Sequence, residues 1–497
     1  MSSTLLDAAR RSRGLAALRP GRPVDLLVVG GGVTGAGVAL DAASRGLRVV
    51  LVERGDLASG TSRWSSKLAH GGLRYIAAGQ IGVAWESAVE RNRLFRSIAP
   101  HLVQPMTFVI PSPPAVRSRE RLVGRIGMGI ADTLRAASRT PAVLPSTRWI
   151  SSDEMRTMLP VLQDRREAVL HVDGSLEDDA RLVVAIARTA ASYGAEILTH
   201  CSARDVRATG ATVVDELTGD TTDVDARCVV VAAGVWSGGL VADVPLQPSR
   251  GAHLLLRAES LGNPSCAFNI LVPGTRNRYV FAVPRPDGTV QVGLTDDAVD
   301  VIEDEPEVTA TDETFLLETL SSGLTRDVTA DDVVGRFAGL RPLLRSSDPR
   351  NPADLSRRHA LLDRDGVLVI VGGKLTTYRA MAEDTVDRVA KRLDAAGGCL
   401  TRTLPLVGAG RVADAAGLPP RLVRRFGAEA ARVAACGPVE PMAEGLPMLK
   451  CEVGWALAAE GAVTAEDVER RLRLDLVPAW RDAARGYVEE AVDRAPR

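Results

Sequence analysis

Lysine is rare in this chain, and two of the few lysines lie in segments whose neighbours suit binding or catalysis. Of the 61 basic residues among 497, only 4 are lysines. Lys374 directly follows Gly372-Gly373 at the end of an apolar run, and Lys67 lies in a polar, glycine-rich stretch. Lysine is a compact charge whose pKa can be tuned, which arginine is not. We therefore expect these two positions to need lysine itself.

Two of the six histidines, His70 and His253, lie in comparable segments. Imidazole titrates near neutral pH, so each is a candidate general base. His253 is the first choice. The alternative is a hydrogen-bonded core histidine, since it lies in the strand-like run "AHLLL". His70, beside Gly71-Gly72, is the rival base.

The N-terminal part contains a pattern typical of a dinucleotide site. "VDLLVV" at 24–29 reads as a buried parallel strand, Gly30–Gly35 matches GxGxxG, and a helix is expected over Val33–Arg45. The next strand, "LRVVLVE", ends in Glu53. Glycines allow the tight turn and a close approach of a pyrophosphate to the helix N-terminus, and the acid accepts from ribose hydroxyls. The expected contacts are Gly30, Gly32, Gly35 and Glu53.

The stretch after Glu53 favours FAD over a nicotinamide cofactor. Residues 55–75 form a long loop rich in hydroxyls and glycine, which suits an extended and buried FAD. The alternative is a solvated loop. A second glycine turn, at Gly234 in "VVVAAGVWS", ends another strand and also suits FAD. The loop residues expected at the cofactor are Thr61, Ser62, Ser66, Lys67, His70 and Gly71.

Further strand signals at 227–232 and 367–371 predict a discontinuous nucleotide domain with segments inserted between its strands. Asp287-Gly288 separates two alternating runs, which predicts a hairpin and a second sheet. From about 395 the pattern becomes helical. We expect an N-terminal arm or short helix at 1–22, with the arm preferred, and a helical C-terminal domain at 391–497. Between them, a cofactor part covers about 23–75, 165–245 and 350–390, and a substrate part covers about 76–164 and 246–349.

Two long segments resemble signatures of the FAD-dependent, quinone-linked glycerol-3-phosphate dehydrogenases. "VGGGVTGAGVALDAASRG" at 29–46 is similar to the first signature, and "GGKLTTYRAMA" at 372–382 matches the second at its fixed positions. "SSKLAHGGLRY", "DDARL", "RGAHLLL", "GLTDD" and "GLRPLL" follow in family order. The resemblance covers about residues 24–385.

This resemblance implies an α/β fold with a discontinuous Rossmann-like FAD domain of the D-amino-acid-oxidase type, an inserted antiparallel substrate sheet and a helical C-terminal domain. The implied reaction oxidises sn-glycerol 3-phosphate at C2 to dihydroxyacetone phosphate, with the C2 hydrogen passing as hydride to flavin N5. Electrons would then pass to a membrane quinone, menaquinone or ubiquinone. The implied location is cytoplasmic, peripherally attached to the inner face of the cytoplasmic membrane; a homodimer is left open.

The implied substrate sets requirements for the site residues. A phosphate dianion is best held by arginine forks, and Arg74 and Arg341 are the candidates; a structural ion pair is the alternative. Tyr75 is expected to contact substrate or to pack. Lys374 would stabilise negative charge on the reduced flavin or the substrate alkoxide. The remaining cofactor contacts expected are Val206, Gly373, Leu375 and Thr376. Arg379 is expected to be structural.

Composition and charge limit the other classes of partner. The net charge of −1 and the 4% aromatic content argue against nucleic acid. The six cysteines are widely spaced, so neither a disulfide framework nor a metal site is expected. No run approaches a transmembrane length. Residues 114–139 hold six arginines against two acids, which suits either an anionic membrane surface or an ordinary surface helix.

Three other functions remain as alternatives. An oxidase of the same substrate would pass electrons to oxygen. An amine or amino-acid oxidase would use arginine for a carboxylate, but the Gly-Gly-Lys segment argues against it. A flavoprotein without turnover would lack the catalytic residues, and Arg74, His253, Arg341 and Lys374 are all present.

Overall fold

The structure is a computed structural model. The described residues are 3–18, 21–71, 81–111, 144–163, 167–275, 278–345, 359–395, 397–412 and 416–495. They form three β-sheets and thirteen α-helices. Arg74, Tyr75 and the basic segment 114–139 lie outside the described residues.

The first sheet has six strands and carries the dinucleotide motif. Its strands are β1 (Leu26–Val29), β2 (Val49–Val52), β7 (Glu196–Leu198), β11 (Val229–Val231), β18 (Ala360–Arg364) and β19 (Val367–Val371). The order is β18-β19-β11-β1-β2-β7, and only the β18–β19 pair is antiparallel. The runs of valine and leucine predicted this parallel sheet, because its strands are buried on both faces.

Helices and a small sheet cover the two faces of this six-stranded sheet. Helix α2 (Val33–Ser44) packs against α5 (Asp179–Ser192) and α8 (Tyr378–Leu393). On the other face lies an antiparallel sheet of β8 (Cys201–Arg207), β9 (Gly210–Asp215) and β10 (Thr221–Asp225). The predicted discontinuous domain is therefore confirmed, since its strands come from four separate regions of the chain.

The inserted sheet has ten strands. They are β3 (Leu68–Ala69), β4 (Val103–Pro111), β5 (Arg148–Ile150), β6 (Ala168–Leu176), β12 (Ser249–Arg257), β13 (Ala267–Leu271), β14 (Tyr279–Pro284), β15 (Thr289–Gly293), β16 (Asp297–Ala298) and β17 (Val333–Arg341). The order is β16-β12-β15-β14-β13-β4-β6-β3, with β17 on β12 and β5 on β6. The predicted hairpin is present as β14–β15, and Gly288 in its turn has φ +84°.

The boundary between the cofactor part and the substrate part differs from the predicted boundary at β3 and β6. Both strands fall within the predicted cofactor part, yet both belong to the ten-stranded sheet. Strand β6 pairs with β4 along all nine of its residues. This long register ties the segment to the substrate side, and its local sequence pattern does not distinguish one sheet from the other.

The prediction that residues 1–22 form an arm is wrong, because the chain forms helix α1 (Ala8–Ala17) there. Asp7 caps the helix by accepting from the backbone N–H of Arg10. The Arg10 guanidinium donates to the carbonyls of Ala191 and Ala195, each at 2.9 Å. Arg11 pairs with Asp215 at 2.7 Å. Arg10 and Arg11 therefore anchor this helix to the folded domain.

The C-terminal region is helical, as the sequence predicts. Its helices are α9 (Pro420–Phe426), α10 (Ala430–Ala434), α11 (Lys450–Ala459), α12 (Ala465–Leu472) and α13 (Pro478–Arg494). The other helices are α3 (Ile81–Arg93), α4 (Ser152–Met158), α6 (Ser237–Leu240) and α7 (Ala310–Ser321). Among the residues described, no helix has the length and apolar character needed to cross a membrane.

Candidate active site

Three neighbouring strands of the six-stranded sheet end in glycine turns at the same edge. Strand β1 is followed by Gly30 (φ +113°), β11 by Gly234 (φ +57°) and β19 by Gly372-Gly373 (φ +78° and +75°). Residues other than glycine rarely adopt these backbone φ angles. In open α/β sheets, ligands bind at the carboxyl ends of the strands. The turns predicted from sequence to hold a cofactor therefore do lie side by side.

The first of these turns has the geometry of a dinucleotide loop. Gly32 precedes α2 and leaves the helix N-terminus without a side-chain cap. A Cβ added to Gly35 would lie 1.9 Å from the Gly30 carbonyl oxygen, so only glycine fits there. Glu53 follows β2, and its carboxylate accepts from the backbone N–H groups of Gly31 at 2.5 Å and Gly55 at 2.8 Å. An acceptor therefore lies beside the N-terminus of a helix, an arrangement that fits a dinucleotide.

Residues 61–67 connect this loop to the ten-stranded sheet. The Ser62 hydroxyl accepts from the Val33 N–H at 2.9 Å, and Thr61 donates to the Leu340 carbonyl at 2.5 Å. Ser66 Oγ lies 3.0 Å from His253 Nε2. The hydroxyl-rich loop predicted to contact the cofactor thus joins the dinucleotide loop to the predicted base.

Lys67 is buried, and Asp179 at the first turn of α5 holds it. The ammonium lies 3.4 Å from the Asp179 carboxylate, which also accepts from the Ser65 N–H at 3.0 Å and hydroxyl at 2.7 Å. Burial lowers the pKa of Lys67 to about 8, and Asp179 acts in the opposite direction. No role was predicted for Asp179, in the block "DDARL", because its contacts with the loop span more than a hundred residues.

His253 lies in the middle of β12, opposite Gly293 on β15 and Phe337 on β17. It is 1% exposed, and its ring stacks on Phe337 with centroids 4.7 Å apart. Burial lowers the pKa of His253 well below 6.5, and the charges of Lys67 and Arg341 lower it further. Its Nδ1 has no hydrogen-bond partner in the described part of the chain. The ring is therefore neutral at neutral pH and able to accept a proton.

Arg341 ends β17 on the sheet face that carries His253. It pairs with Ser249, and residues 249, 251 and 253 share one face because side chains alternate along a strand. The Arg341 guanidinium lies directly over Gly251, because a Cβ added to Gly251 would be only 1.8 Å from Arg341 Nη2. It donates to Asp296 at 2.9 Å and to the Thr295 carbonyl at 3.2 Å. The ion pair considered as the alternative thus forms, beside the predicted base.

Lys374, which follows β19, lies at a cavity that neither His253 nor Arg341 lines. It lines a cavity of about 330 Å³ together with Gly82, Val83, Glu86, His359, Gly373 and Thr377. Its ammonium donates to the Ser87 hydroxyl on α3 at 3.0 Å. Burial raises the pKa of Glu86, and Lys374 opposes that rise. The turn at 375–377 that follows, with Leu375 and the buried Thr376, contacts β3.

His70 and Gly71, which follow β3, lie beside a buried ionic cluster. The Gly71 N–H donates to both Asp173 oxygens at 3.0 Å, and Arg91 pairs with Asp173 at 2.6 Å. The positive charges of Arg91, His171 and His70 hold the pKa of Asp173 well below its usual range, against the effect of burial. The structure therefore places His70 beside a carboxylate and His253 in an apolar stack.

Two other predicted residues have packing roles in this structure. Val206 on β8 is partly buried and packs against the apolar cluster under the six-stranded sheet. Arg379 on α8 is 3% exposed and makes a two-pronged contact with Glu90 at 2.7 and 2.8 Å, with Glu383 at 2.5 Å. The expectation that Arg379 is structural is confirmed.

Comparison with known proteins agrees with this geometry. Residues 25–388 match the family described as FAD dependent oxidoreductase. The chain is 45% identical to glycerol-3-phosphate dehydrogenase 1 of Mycobacterium tuberculosis, over 99% of both chains. The chain belongs to the FAD-dependent oxidoreductase family, in the group of the glycerol-3-phosphate dehydrogenases. Its cofactor is FAD.

Two further relatives support this membership. The aerobic glycerol-3-phosphate dehydrogenase of Staphylococcus aureus is 34% identical over 74% of this chain and 67% of its own. The crystal structure of glycerol-3-phosphate dehydrogenase from Bacillus halodurans, complexed with FAD, superposes with a TM-score of 0.75. That structure is 26% identical and covers 98% of this chain and 94% of its own. The implied D-amino-acid-oxidase type of fold is thereby confirmed.

Proposed function

We propose that this chain oxidises sn-glycerol 3-phosphate at C2 to dihydroxyacetone phosphate. The names of its relatives support this substrate. The observation that carries the proposal is the placement of His253 and Arg341 on one face of the ten-stranded sheet. One side chain accepts a hydroxyl proton, and the other is a fork suited to a phosphate dianion.

His253 is the proposed base for the C2 hydroxyl. Ser66 Oγ, at 3.0 Å from Nε2, and the stack on Phe337 fix the ring. Lys67 and Arg341 both oppose its protonation. A phosphate dianion bound at Arg341 would offset part of that positive charge and raise the pKa of His253. The base therefore becomes stronger when substrate binds, and that change favours proton transfer within the complex.

FAD, when bound, accepts the two electrons and the hydrogen that leave C2. The proposed cofactor contacts are Gly30, Gly32, Gly35, Glu53, Thr61, Ser62, Ser66, Lys67, His70, Gly71, Val206, Gly234, Gly373, Lys374, Leu375 and Thr376. The proposed substrate contacts are Arg74, Tyr75, His253, Arg341 and Lys374. Lys374 supplies a cation at the carboxyl end of β19, where negative charge develops on substrate or cofactor.

We also propose that electrons pass from the flavin to a membrane quinone at the inner face of the cytoplasmic membrane. The basic stretch at 114–139 supports a peripheral contact with an anionic lipid surface. The electron acceptor is independent of the substrate, so a different acceptor would leave the substrate assignment unchanged.

The test is anaerobic reduction of the purified, FAD-loaded protein. Adding sn-glycerol 3-phosphate should bleach the flavin band near about 450 nm, and a soluble quinone analogue should restore it. A flavin that stays oxidised would overturn the substrate assignment. If the quinone analogue does not reoxidise the reduced flavin, but oxygen does so rapidly and yields stoichiometric peroxide, the protein is an oxidase.

A further inference from the structure

A second cavity, of about 100 Å³, lies between the C-terminal helices and the ten-stranded sheet. This volume is several times the ~10–15 Å³ that one water needs. Its charged lining residues are Lys67, Arg285, Arg421, Arg424, Arg425, Arg473, Glu177, Asp178 and Asp287. Six cationic side chains therefore face three acidic ones.

Most of these cations are already neutralised by a neighbouring carboxylate. The pairs are Arg421 with Glu452 at 2.6 Å, Arg424 with Glu177 at 3.4 Å, Arg425 with Asp178 at 2.9 Å and Lys67 with Asp179 at 3.4 Å. Arg285 and Arg473 differ from them. Neither forms an ion pair with any carboxylate in the described ranges. These two arginines are therefore the cations of the lining that have no carboxylate at ion-pair distance among the described residues, although the more distant charges of Asp475, Asp178 and Asp179 raise the pKa of Arg473 against the effect of burial.

Arg473, just after α12, is buried with unused donors. Its side chain is 4% exposed, and Nη2 donates to the Arg63 carbonyl at 2.9 Å. Nε and Nη1 are buried and have no hydrogen-bond partner among the residues that the structure describes. Buried donors without acceptors are costly, and those of a charged group more so. A ligand with acceptor oxygens would remove that cost.

Arg285 reaches the cavity from the turn between β14 and β15. Its guanidinium donates to the carbonyls of Leu176 and Glu177 at 2.9 and 2.6 Å and to the Ser175 hydroxyl at 3.2 Å. These acceptors are uncharged, so they fix the orientation of the guanidinium and leave its charge in place. A fixed fork of this kind is suited to a tetrahedral oxyanion.

We infer that this cavity binds a small phosphate-class oxyanion, held between Arg285 on the sheet and Arg473 on the C-terminal domain. The anion supplies the acceptors that Arg473 lacks and joins the two parts of the molecule. Free inorganic phosphate is the simplest ligand of this class.

This anion site is distinct from the one proposed for the substrate phosphate. The cavity reaches β12 at Leu255, whereas the Arg341 guanidinium lies over Gly251, four residues earlier on the same strand. At roughly 3.3 Å per residue, Leu255 and Gly251 are about 13 Å apart. Arg341 does not line the cavity.

The test is calorimetric titration of FAD-loaded protein with inorganic phosphate. R341Q serves as the background, so that the proposed substrate subsite does not contribute. We expect one saturable site, weakened at least about tenfold in R285Q and in R473Q. The matched control is R364Q, because Arg364, like Arg285, donates to backbone carbonyls, those of Asp243 and Asp363, and pairs with no carboxylate among the described residues, but lies outside the cavity. R364Q should bind phosphate as its background does.

Absence of saturable binding in the R341Q background, or equal binding by R285Q and R364Q, would overturn the inference. R285Q decides the matter if R473Q does not fold, since Arg285 is only partly buried. Phosphate binding should also raise the melting temperature of the R364Q protein but not that of R285Q. Displacement of phosphate by phosphatidylglycerol vesicles would overturn the assignment to a free anion and point to a lipid headgroup.

Discussion

His253 owes its proposed role to its surroundings and not to an acidic partner. Many catalytic histidines are oriented by a carboxylate, which raises their pKa. Here, burial and two nearby cations lower the pKa of His253, and Ser66 is its only hydrogen-bond partner in the described structure. This arrangement favours the unprotonated ring, as the proposed role of a general base requires. His70, beside Asp173, has the opposite electrostatic environment.

Replacing His253 with glutamine should slow anaerobic flavin reduction by sn-glycerol 3-phosphate by about 10²- to 10⁴-fold, the usual contribution of a general base. Glutamine retains polarity and similar bulk, so FAD content should be unchanged. Stopped-flow absorbance gives the rate, and the visible spectrum gives the FAD content.

The matched variant is H70Q, which should retain most of the rate. If H70Q loses the rate and H253Q keeps it, the base is His70. Because the pKa of His253 lies well below 6.5, the rate for the unaltered protein should fall only at acidic pH, as the ring becomes protonated. In H253Q, the rate of flavin reduction should not show this fall at acidic pH.

At the residue scale, rarity and segment context led us to propose Lys67, His253 and Lys374 as site residues from the sequence. Asp179 and Phe337 could not be identified in this way. Aspartate and phenylalanine have many ordinary positions, and both residues reach the site only through distant pairing, Asp179 with Lys67 and Phe337 across β17–β12. A partner that is defined by tertiary structure leaves no local signal.

At the element scale, the turn between β1 and α2 depends on Gly35 more than on its other residues. An alanine Cβ at this position would meet the Gly30 carbonyl at 1.9 Å, which is far inside any tolerated contact. G35A should therefore displace the loop and leave the purified protein without FAD, as measured by the ratio of visible to ultraviolet absorbance.

The control for G35A is G486A, on helix α13, where an added Cβ meets no atom within 4 Å. Alanine should stabilise that helix by about 0.5–1 kcal/mol and leave FAD binding intact. If G35A retains FAD as G486A does, the loop does not bind the dinucleotide in the way proposed.

Local patterns predicted elements well where a strand's own residues form an apolar or alternating run. The strands β1, β11 and β19 and the hairpin β14–β15 were visible in this way. The assignment of β6 to the ten-stranded sheet was not visible, because its pairing with β4, 57 to 73 residues earlier, depends on tertiary structure and not on the local pattern. Helix α1 was missed because its anchors, Ala191 and Asp215, are remote.

At the scale of the whole molecule, His101 lies where the C-terminal region meets the catalytic part. A Cβ on Gly408 or Gly427 would lie within 3 Å of its ring, at 2.7 and 2.8 Å. Burial, together with the nearby charge of Arg181, lowers the pKa of His101 to about 4. The unfolded chain then binds a proton near pH 6.5, whereas the folded chain binds it only near 4.

Stability contributed by the neutral His101 is therefore complete above pH 6.5 and is lost as the pH falls toward 4. The expected loss is about 2–3 kcal/mol. Chemical denaturation of H101Q and of the unaltered protein at pH 7 and pH 4.5 measures it. The unaltered protein should lose more stability than H101Q over this interval, and equal losses would contradict the assignment.

Buried ion pairs join the C-terminal domain to α5. Arg181 and Glu460 are 5% and 1% exposed in their side chains, with one contact at 2.6 Å, and Trp455 also donates to Glu460 at 2.7 Å. Removing the charge of one partner leaves the other buried and unpaired, which costs about 3–5 kcal/mol. E460Q should lower the free energy of unfolding by that amount in urea denaturation followed by tryptophan fluorescence.

The control for E460Q is E490Q, which breaks the exposed pair between Glu490 and Arg494 on α13. Water screens that pair, so its loss should leave the urea midpoint nearly unchanged. If E460Q is as stable as E490Q, the two parts of the molecule are held together by other contacts. If E460Q alone unfolds early and the C-terminal tryptophans report the transition before the flavin is released, the domain separates as a unit, because its attachment depends on this ionic interface.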